Sequence, residues 1–322
     1  MKRAWEGFVF MVFKSEESKV ISAYLAVCIL WGSTYLAIRI GVSAFPPELF
    51  AGIRFLLAGT MMLLYAKFKG LAFPSDLKSI RDQSIVGLFL LLGGNGLVVW
   101  AEQWVNSGIA SLLVATIPLY MAVIELFVPG RPRIDFKGWL GLIIGFSGVA
   151  LLVLSGPGEG STDFRGTVAL LLAAFLWAVG SVYSKGFTPT GSVVSNIGVQ
   201  MLAGGIGLSI VGVSLGELSR ISISAKGIGA MLYLVVFGSL IGYSSYIYIL
   251  QKWPAAKAGT YAYVNPPVAF LLGALILDEP FTLTLLVSTA VILTGVLLVQ
   301  LSKTKNNRKE KAMKENTQCK DL

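Results

Sequence analysis

Charge is what this 322-residue sequence has least of: Asp, Glu, Lys and Arg make up 13% of it, apolar residues 55%, and mean hydropathy is +0.75. A soluble chain of this length needs about a quarter of its residues charged to face water. Half that share excludes an ordinary soluble surface and points to a polytopic membrane protein. Histidine is absent, which removes His-based triads, His metal sites and a histidine pH switch. Cysteine occurs twice, as Cys28 in an apolar run and Cys319 in a charged tail, too few for a disulfide framework or a metal cluster. Phosphate loops, the Gly-x-Ser-x-Gly elbow and metal-ligand spacings are also missing, so neither a cofactor nor enzyme activity is expected.

What is present is a series of long apolar runs. A helix crossing the bilayer needs roughly 20 mainly apolar residues, and ten such runs fit: 20–40, 47–67, 84–104, 108–128, 137–155, 165–184, 192–214, 228–250, 256–277 and 281–301. Short connections punctuate them, among them Pro46-Pro47, Pro129-Gly130, Gly156-Pro157-Gly158 and Asp278-Glu279-Pro280. Residues 1–19 form an N-terminal segment whose patch Phe8–Phe13 is too short to span and reads as an interfacial helix rather than a signal peptide. With residue 1 in the cytoplasm, 21 of the 26 Lys and Arg fall on inner segments and three on outer ones, Arg165, Arg220 and Lys226; Arg39 and Arg54 lie within spans. That asymmetry places both termini in the cytoplasm and accounts for the net charge of +9 without nucleic acid. Residues 302–322 read as a solvated polybasic tail.

The chain also repeats itself at an offset of 146 to 148 residues. Leu30-Trp31 is followed by Arg39, and Leu176-Trp177 by Lys185 at the same distance; Arg54 falls opposite Gln200. Gln103 meets Gln251, Ala110 meets Ala258, Pro118 meets Pro266 and Pro132 meets Pro280. Each unit, 20–155 and 165–301, holds five spans. Five is odd, so the second unit lies upside down relative to the first. The expected fold is therefore all-α, ten transmembrane helices arranged as two inverted five-helix repeats, with the substrate site near the midplane.

Leu30-Trp31-Gly32-Ser33-Thr34-Tyr35-Leu36-Ala37-Ile38 resembles the first-span motif of the EamA-type families of the drug/metabolite transporter superfamily. Asn265-Pro266-Pro267 with Leu277-Asp278-Glu279-Pro280 resembles the end of the same repeat. The resemblance covers about residues 20–301 and implies ten helices, two EamA repeats and movement of small metabolites or drugs, commonly outward. One departure is visible: Arg131 stands opposite Glu279, where the family often has an acidic residue.

Charged side chains within a bilayer cost roughly 2.5–3.5 kcal/mol each on insertion scales, so each needs a reason. Arg39, Arg54 and Glu102 fall at similar depth near the outer surface. An Arg54–Glu102 pair facing a vestibule would satisfy both charges and could receive a zwitterionic substrate; the alternative is a structural salt bridge or simple snorkelling. Glu125 reads as a topological ion pair with Arg131 and Arg133. Near the midplane, Asn95 follows Gly93-Gly94 and is either a ligand contact or an interhelical hydrogen bond. Pro118 and Pro266 interrupt matching helices at matching depth, with Tyr261, Tyr263 and Asn265 beside the latter. Trp31 and Trp177 lie mid-span as cavity walls or packing residues, and Tyr35 and Tyr246 are further polar candidates. The pairs Gly141/Gly145 and Gly238/Gly242 read as packing faces. The expected function is alternating-access export of small organic metabolites, such as amino acids, or drugs across the cytoplasmic membrane, with protons as a possible coupling ion. The alternatives are an importer, an uncoupled facilitator, a channel or a membrane sensor; the last two lack a legible charge ring and a soluble output module.

Overall fold

The computed structural model describes residues 15–128, 135–154, 163–253, 255–279 and 282–301. The patch at 8–13, the connections containing Arg131, Arg133, Gly156–Gly158 and Pro280, and the tail from 302 lie outside them.

In lipid a backbone must satisfy its own hydrogen bonds, so the apolar runs become helices. These are α1 (Glu16–Val42), α2 (Pro47–Phe68), α3 (Leu77–Ala101), α4 (Ser107–Leu126), α5 (Phe136–Leu154), α6 (Phe164–Ser184), α7 (Val193–Ser214), α8 (Ala225–Lys252), α9 (Gly259–Leu277) and α10 (Leu283–Leu301). No strand occurs among the described residues. Among the described residues eight helices are long and apolar enough to cross a membrane; the apolar stretches of α5 and α10, Phe136–Leu151 and Leu283–Val299, are shorter. Polar caps fix several starts: Ser15, Asp76, Asp163, Ser192 and Ser224 each accept a backbone N–H three residues on. The Asp76 cap starts α3 seven residues before the apolar run, because Leu77–Gln83 is too polar to register in a hydropathy reading.

Helix contacts come in pairs that exchange the two repeats. The second helices of each unit, α2 and α7, lie along one another, as do the fifth, α5 and α10. α1 packs on α8 and α9, while α6 packs on α3 and α4. Lipid tails are as apolar as leucine, so small residues rather than hydrophobicity allow such close approach. A Cβ on Gly295 would collide with the backbone of Gly145, and α5 and α10 cross there, in line with the packing face expected at Gly141/Gly145.

Irregularities repeat as well. α3 widens into a π-helix over Leu88–Gly96, and α8 does so over Leu234–Tyr243. α4 breaks between Val114 and Ile117, with Pro118 in the first turn of its second half; α9 begins as a 3-10 helix, Gly259–Tyr263, and becomes α-helical at Asn265-Pro266. The two prolines thus mark paired breaks.

Acidic residues join the units at one end. Glu217 accepts from the backbone N–H of Leu49 at 2.8 Å, capping α2, and Glu279 accepts from Ser107 N and Oγ at 2.9 and 2.8 Å, capping α4. At the other end the Thr190 hydroxyl donates to Asp76 at 2.6 Å and Ser192 N–H to the Ala72 carbonyl at 2.7 Å. Thr190, with the Ser79 amide, holds the Asp76 carboxyl below the usual carboxylate range.

Candidate substrate cavity

Two indoles define the centre of the molecule. Trp31 in α1 lies over Gly242 of α8, and Trp177 in α6 lies over Gly94 of α3, where a Cβ would come within 2.8 Å of the ring. Glycine is needed at both places so that a flat ring can rest on helix backbone. Trp31 Nε1 donates to the Gly238 carbonyl at 3.0 Å, within the π segment, whose wide turn leaves carbonyls off the α-helical ladder. The rings stand edge to face, 5.4 Å apart at 86°. Tyr246 backs both at 5.2 and 5.4 Å, its hydroxyl bonded to Ser181 Oγ at 2.7 Å, and Tyr261 closes against Trp31 at 5.0 Å.

Beside this cluster is a small cavity. α1 supplies Trp31, Thr34 and Tyr35, α2 Arg54, α3 Asn95, α6 Trp177, α8 Tyr243 and α9 Tyr261. Six of the polar and aromatic residues singled out in the sequence therefore meet at one place: Trp31, Tyr35, Arg54, Asn95, Trp177 and Tyr261. Helices α1 and α6 contribute more of the wall than the proline-interrupted α4 and α9 do.

Arg54 is 3% exposed, its Nε donates to Ser239 Oγ at 2.8 Å, and its Nη1 has no partner. The Phe55 ring centroid lies 4.7 Å from the guanidinium. The Arg54–Glu102 pair does not form. Glu102 lies at the end of α3, 0% exposed, with both carboxylate oxygens unpartnered. Arg39 donates to its backbone carbonyl instead. Similar depth left the direction of each side chain around its helix open, and that direction separates them.

The other candidates stand outside the lining. Pro118 packs near Gly259, Pro266 opens the α-helical part of α9, and the Tyr263 hydroxyl reaches the Val296 carbonyl at 3.4 Å. Asn265 is buried beside the Tyr35 phenol, its Oδ1 unpartnered. Gly238 faces the Arg54 guanidinium and Gly242 faces Trp31, so this glycine pair serves the cavity rather than a helix crossing.

Some participants were not singled out. Tyr243 lines the cavity and donates to Gln200 Oε1 at 2.7 Å; Gln200 donates on to Gln83. Tyr243 is the repeat counterpart of Asn95, so extending the 148-residue offset finds it. Gln83 sits in the polar first turns of α3, which precede the apolar run and carry no hydropathy signal.

Two further clefts lie at opposite ends of the molecule, one bordered by Arg39, Gln103, Lys226 and Glu279, the other by Gln83, Lys185, Gln200 and Gln251. Each has a cation ending the first helix of its repeat and gripping the carbonyl end of the third. Arg39 donates to the Glu102 carbonyl, and Lys185 to the Leu250 and Trp253 carbonyls at 2.7 and 3.1 Å. A helix C-terminus attracts a cation through its unpaired carbonyls.

A cavity inside a bundle of apolar helices, with related clefts at both ends, fits a multi-pass membrane transporter, and the likeness to known proteins gives that class. The chain belongs to the EamA-like transporter family, whose model matches it twice, over residues 18–154 and 164–301. It is 38% identical over 287 residues to the uncharacterized inner membrane transporter YedA of Escherichia coli, covering 88% of this chain and 91% of that protein. It is 30% identical to the uncharacterized transporter YdfC of Bacillus subtilis, with 87% and 90% covered. A crystal structure at 21% identity shares the fold, with a TM-score of 0.65 over 89% of this chain and 99% of the other.

Proposed function

We propose that the chain carries small organic metabolites out of the cytoplasm by alternating access, its ten helices forming two inverted repeats with the cavity between Trp31 and Trp177 as the substrate site. The observation that carries the reading is the pair of clasps. Arg39 on Glu102 and Lys185 on Leu250 are the same interaction made once by each repeat, at opposite ends of the molecule. A carrier needs two gates that open in turn around one site, and a duplicated inverted unit provides them with nearly equal energies. The π segments and the paired breaks of α4 and α9 supply helices that bend at cavity depth. The cation asymmetry supports cytoplasmic termini, and the likeness to YedA supports the cytoplasmic membrane. Protons are the coupling ion in this reading, with Glu102 as the carboxyl that binds them.

The test is transport by the purified protein in proteoliposomes against a panel of amino acids and organic acids. The expected result is saturable counterflow of at least one solute and no unitary currents in planar bilayers. Unitary currents without counterflow would make the protein a channel.

A further inference from the structure

Three side chains on the cavity wall each keep one buried polar atom with no hydrogen bond within 3.5 Å: Arg54 Nη1, Asn95 Oδ1 and Trp177 Nε1, the last with the Tyr246 hydroxyl nearby. Two are donors and one is an acceptor. Among the described residues no carboxylate lines the cavity and no ion pair holds Arg54. A guanidinium keeps its proton at physiological pH, so the cavity carries an uncompensated positive charge. The Ser239 hydroxyl and the Phe55 ring offset part of the cost of burying it, but neither supplies the opposite charge that a buried ion calls for. The walls around it are aromatic and aliphatic: Trp31, Ile38, Leu91, Val98, Ile117 and Tyr261.

We infer that the cavity binds a small organic monocarboxylate with an apolar tail, its carboxylate on Arg54 and a hydroxyl or ammonium group on the neighbouring carbon donating to Asn95. The inference rests on the carrier reading above and names the substrate class of that site. The anion completes the charge that the protein leaves open, the Trp177 indole is available as a second donor, and the apolar walls take the tail. A cationic amine of the same shape meets Arg54 and is repelled.

Four solutes that share an isobutyl unit test this: isovalerate, α-hydroxyisovalerate, valine and isobutylamine, the last being valine without its carboxyl group. Ligand-induced shifts in the Tm of the detergent-purified protein report binding, and counterflow in proteoliposomes reports transport. The hydroxy and amino acids are expected to raise Tm at lower concentration than isovalerate, and isobutylamine to leave it unchanged. Arg54→Gln should weaken carboxylate binding about tenfold or more, the loss of one charge-assisted contact. Its Tm without ligand should not fall, since an unpaired buried charge has been removed. Arg54→Lys should bind carboxylates better than Arg54→Gln does. Asn95→Leu should erase the advantage of the hydroxy and amino acids over isovalerate. Stabilisation by isobutylamine equal to that by the carboxylates, or none by any carboxylate, overturns the proposal without recourse to a variant, as does unchanged carboxylate affinity in Arg54→Gln. Counterflow of isobutylamine alone would keep the carrier and reject the anion site, whereas carboxylate stabilisation accompanied by unitary currents would keep the site and reject the carrier.

Discussion

Glu102 keeps both carboxylate oxygens buried and without hydrogen-bond partners, while Arg39 binds its main-chain carbonyl rather than its side chain. The groups that act on it are Arg39 and Tyr35 of α1 and Glu279 before α10. A carboxyl so placed changes its environment whenever the Arg39 clasp opens, since water then reaches a group that the protein leaves unsatisfied. With histidine absent, a proton-coupled cycle has to use a carboxyl. Glu102→Gln is therefore expected to abolish the dependence of net transport on a pH gradient while counterflow remains measurable. Proton-driven accumulation at the wild-type level in that variant would remove Glu102 as the coupling group. Much of this neighbourhood is legible in the sequence: Arg54 and Asn95 stand out as a charge and an amide inside apolar runs, and the two tryptophans stand out by lying mid-span rather than at an interface. The Arg54–Glu102 pairing was misread because position along a span gives depth and not direction around the helix. Ser239 went unnoticed because a serine within an apolar run carries no signal until its partner is known.

At the scale of elements, the helices were legible to within a few residues except at the start of α3, where Asp76 and the polar turns to Gln83 extend the helix beyond its apolar core. The breaks at Pro118 and Asn265-Pro266 were legible for the reason that a proline removes a helical hydrogen bond. The π segments were not, since a widened turn of Leu, Val and Gly has the composition of an ordinary membrane helix. The acidic caps were hidden too. Glu279 was noted for its family motif, yet its work is on α4, 172 residues earlier in the chain, where it accepts from Ser107 N and Oγ. Removing it leaves the first turn of α4 without its cap, so Glu279→Ala should lower stability by about 1–2 kcal/mol, read as a lower Tm in detergent. Glu217→Ala should act similarly through α2. An unchanged Tm in both variants would show that other groups take over the exposed amides of α2 and α4.

The whole molecule turns on whether its two ends are equivalent and opposite. Reporter and cysteine-labelling experiments are expected to place Lys78 and Lys137 on the cytoplasmic side and the α7–α8 connection outside. Glu217 is a poor position for that purpose, being buried against α2, whereas Ser219 two residues on is exposed. In that orientation the Arg39 clasp closes the outer cleft and the Lys185 clasp the inner one, and Asn95 in the cavity reports on both. With Cys28 and Cys319 replaced, Asn95→Cys should react slowly with a small membrane-impermeant thiol reagent applied from either side. Adding Arg39→Gln removes the cation that joins α1 to the end of α3, so labelling from outside should rise while labelling from inside does not. Adding Lys185→Gln should do the reverse. Each clasp is a charge-assisted hydrogen bond to a helix end, worth on the order of 1.5–3 kcal/mol, enough to shift a balanced two-state equilibrium by about tenfold or more. The opposite signs matter more than the size, because a protein that merely loosened would admit the reagent from both sides in both variants. That outcome would make Arg39 and Lys185 structural ties and leave alternation to the bending of α3, α4, α8 and α9.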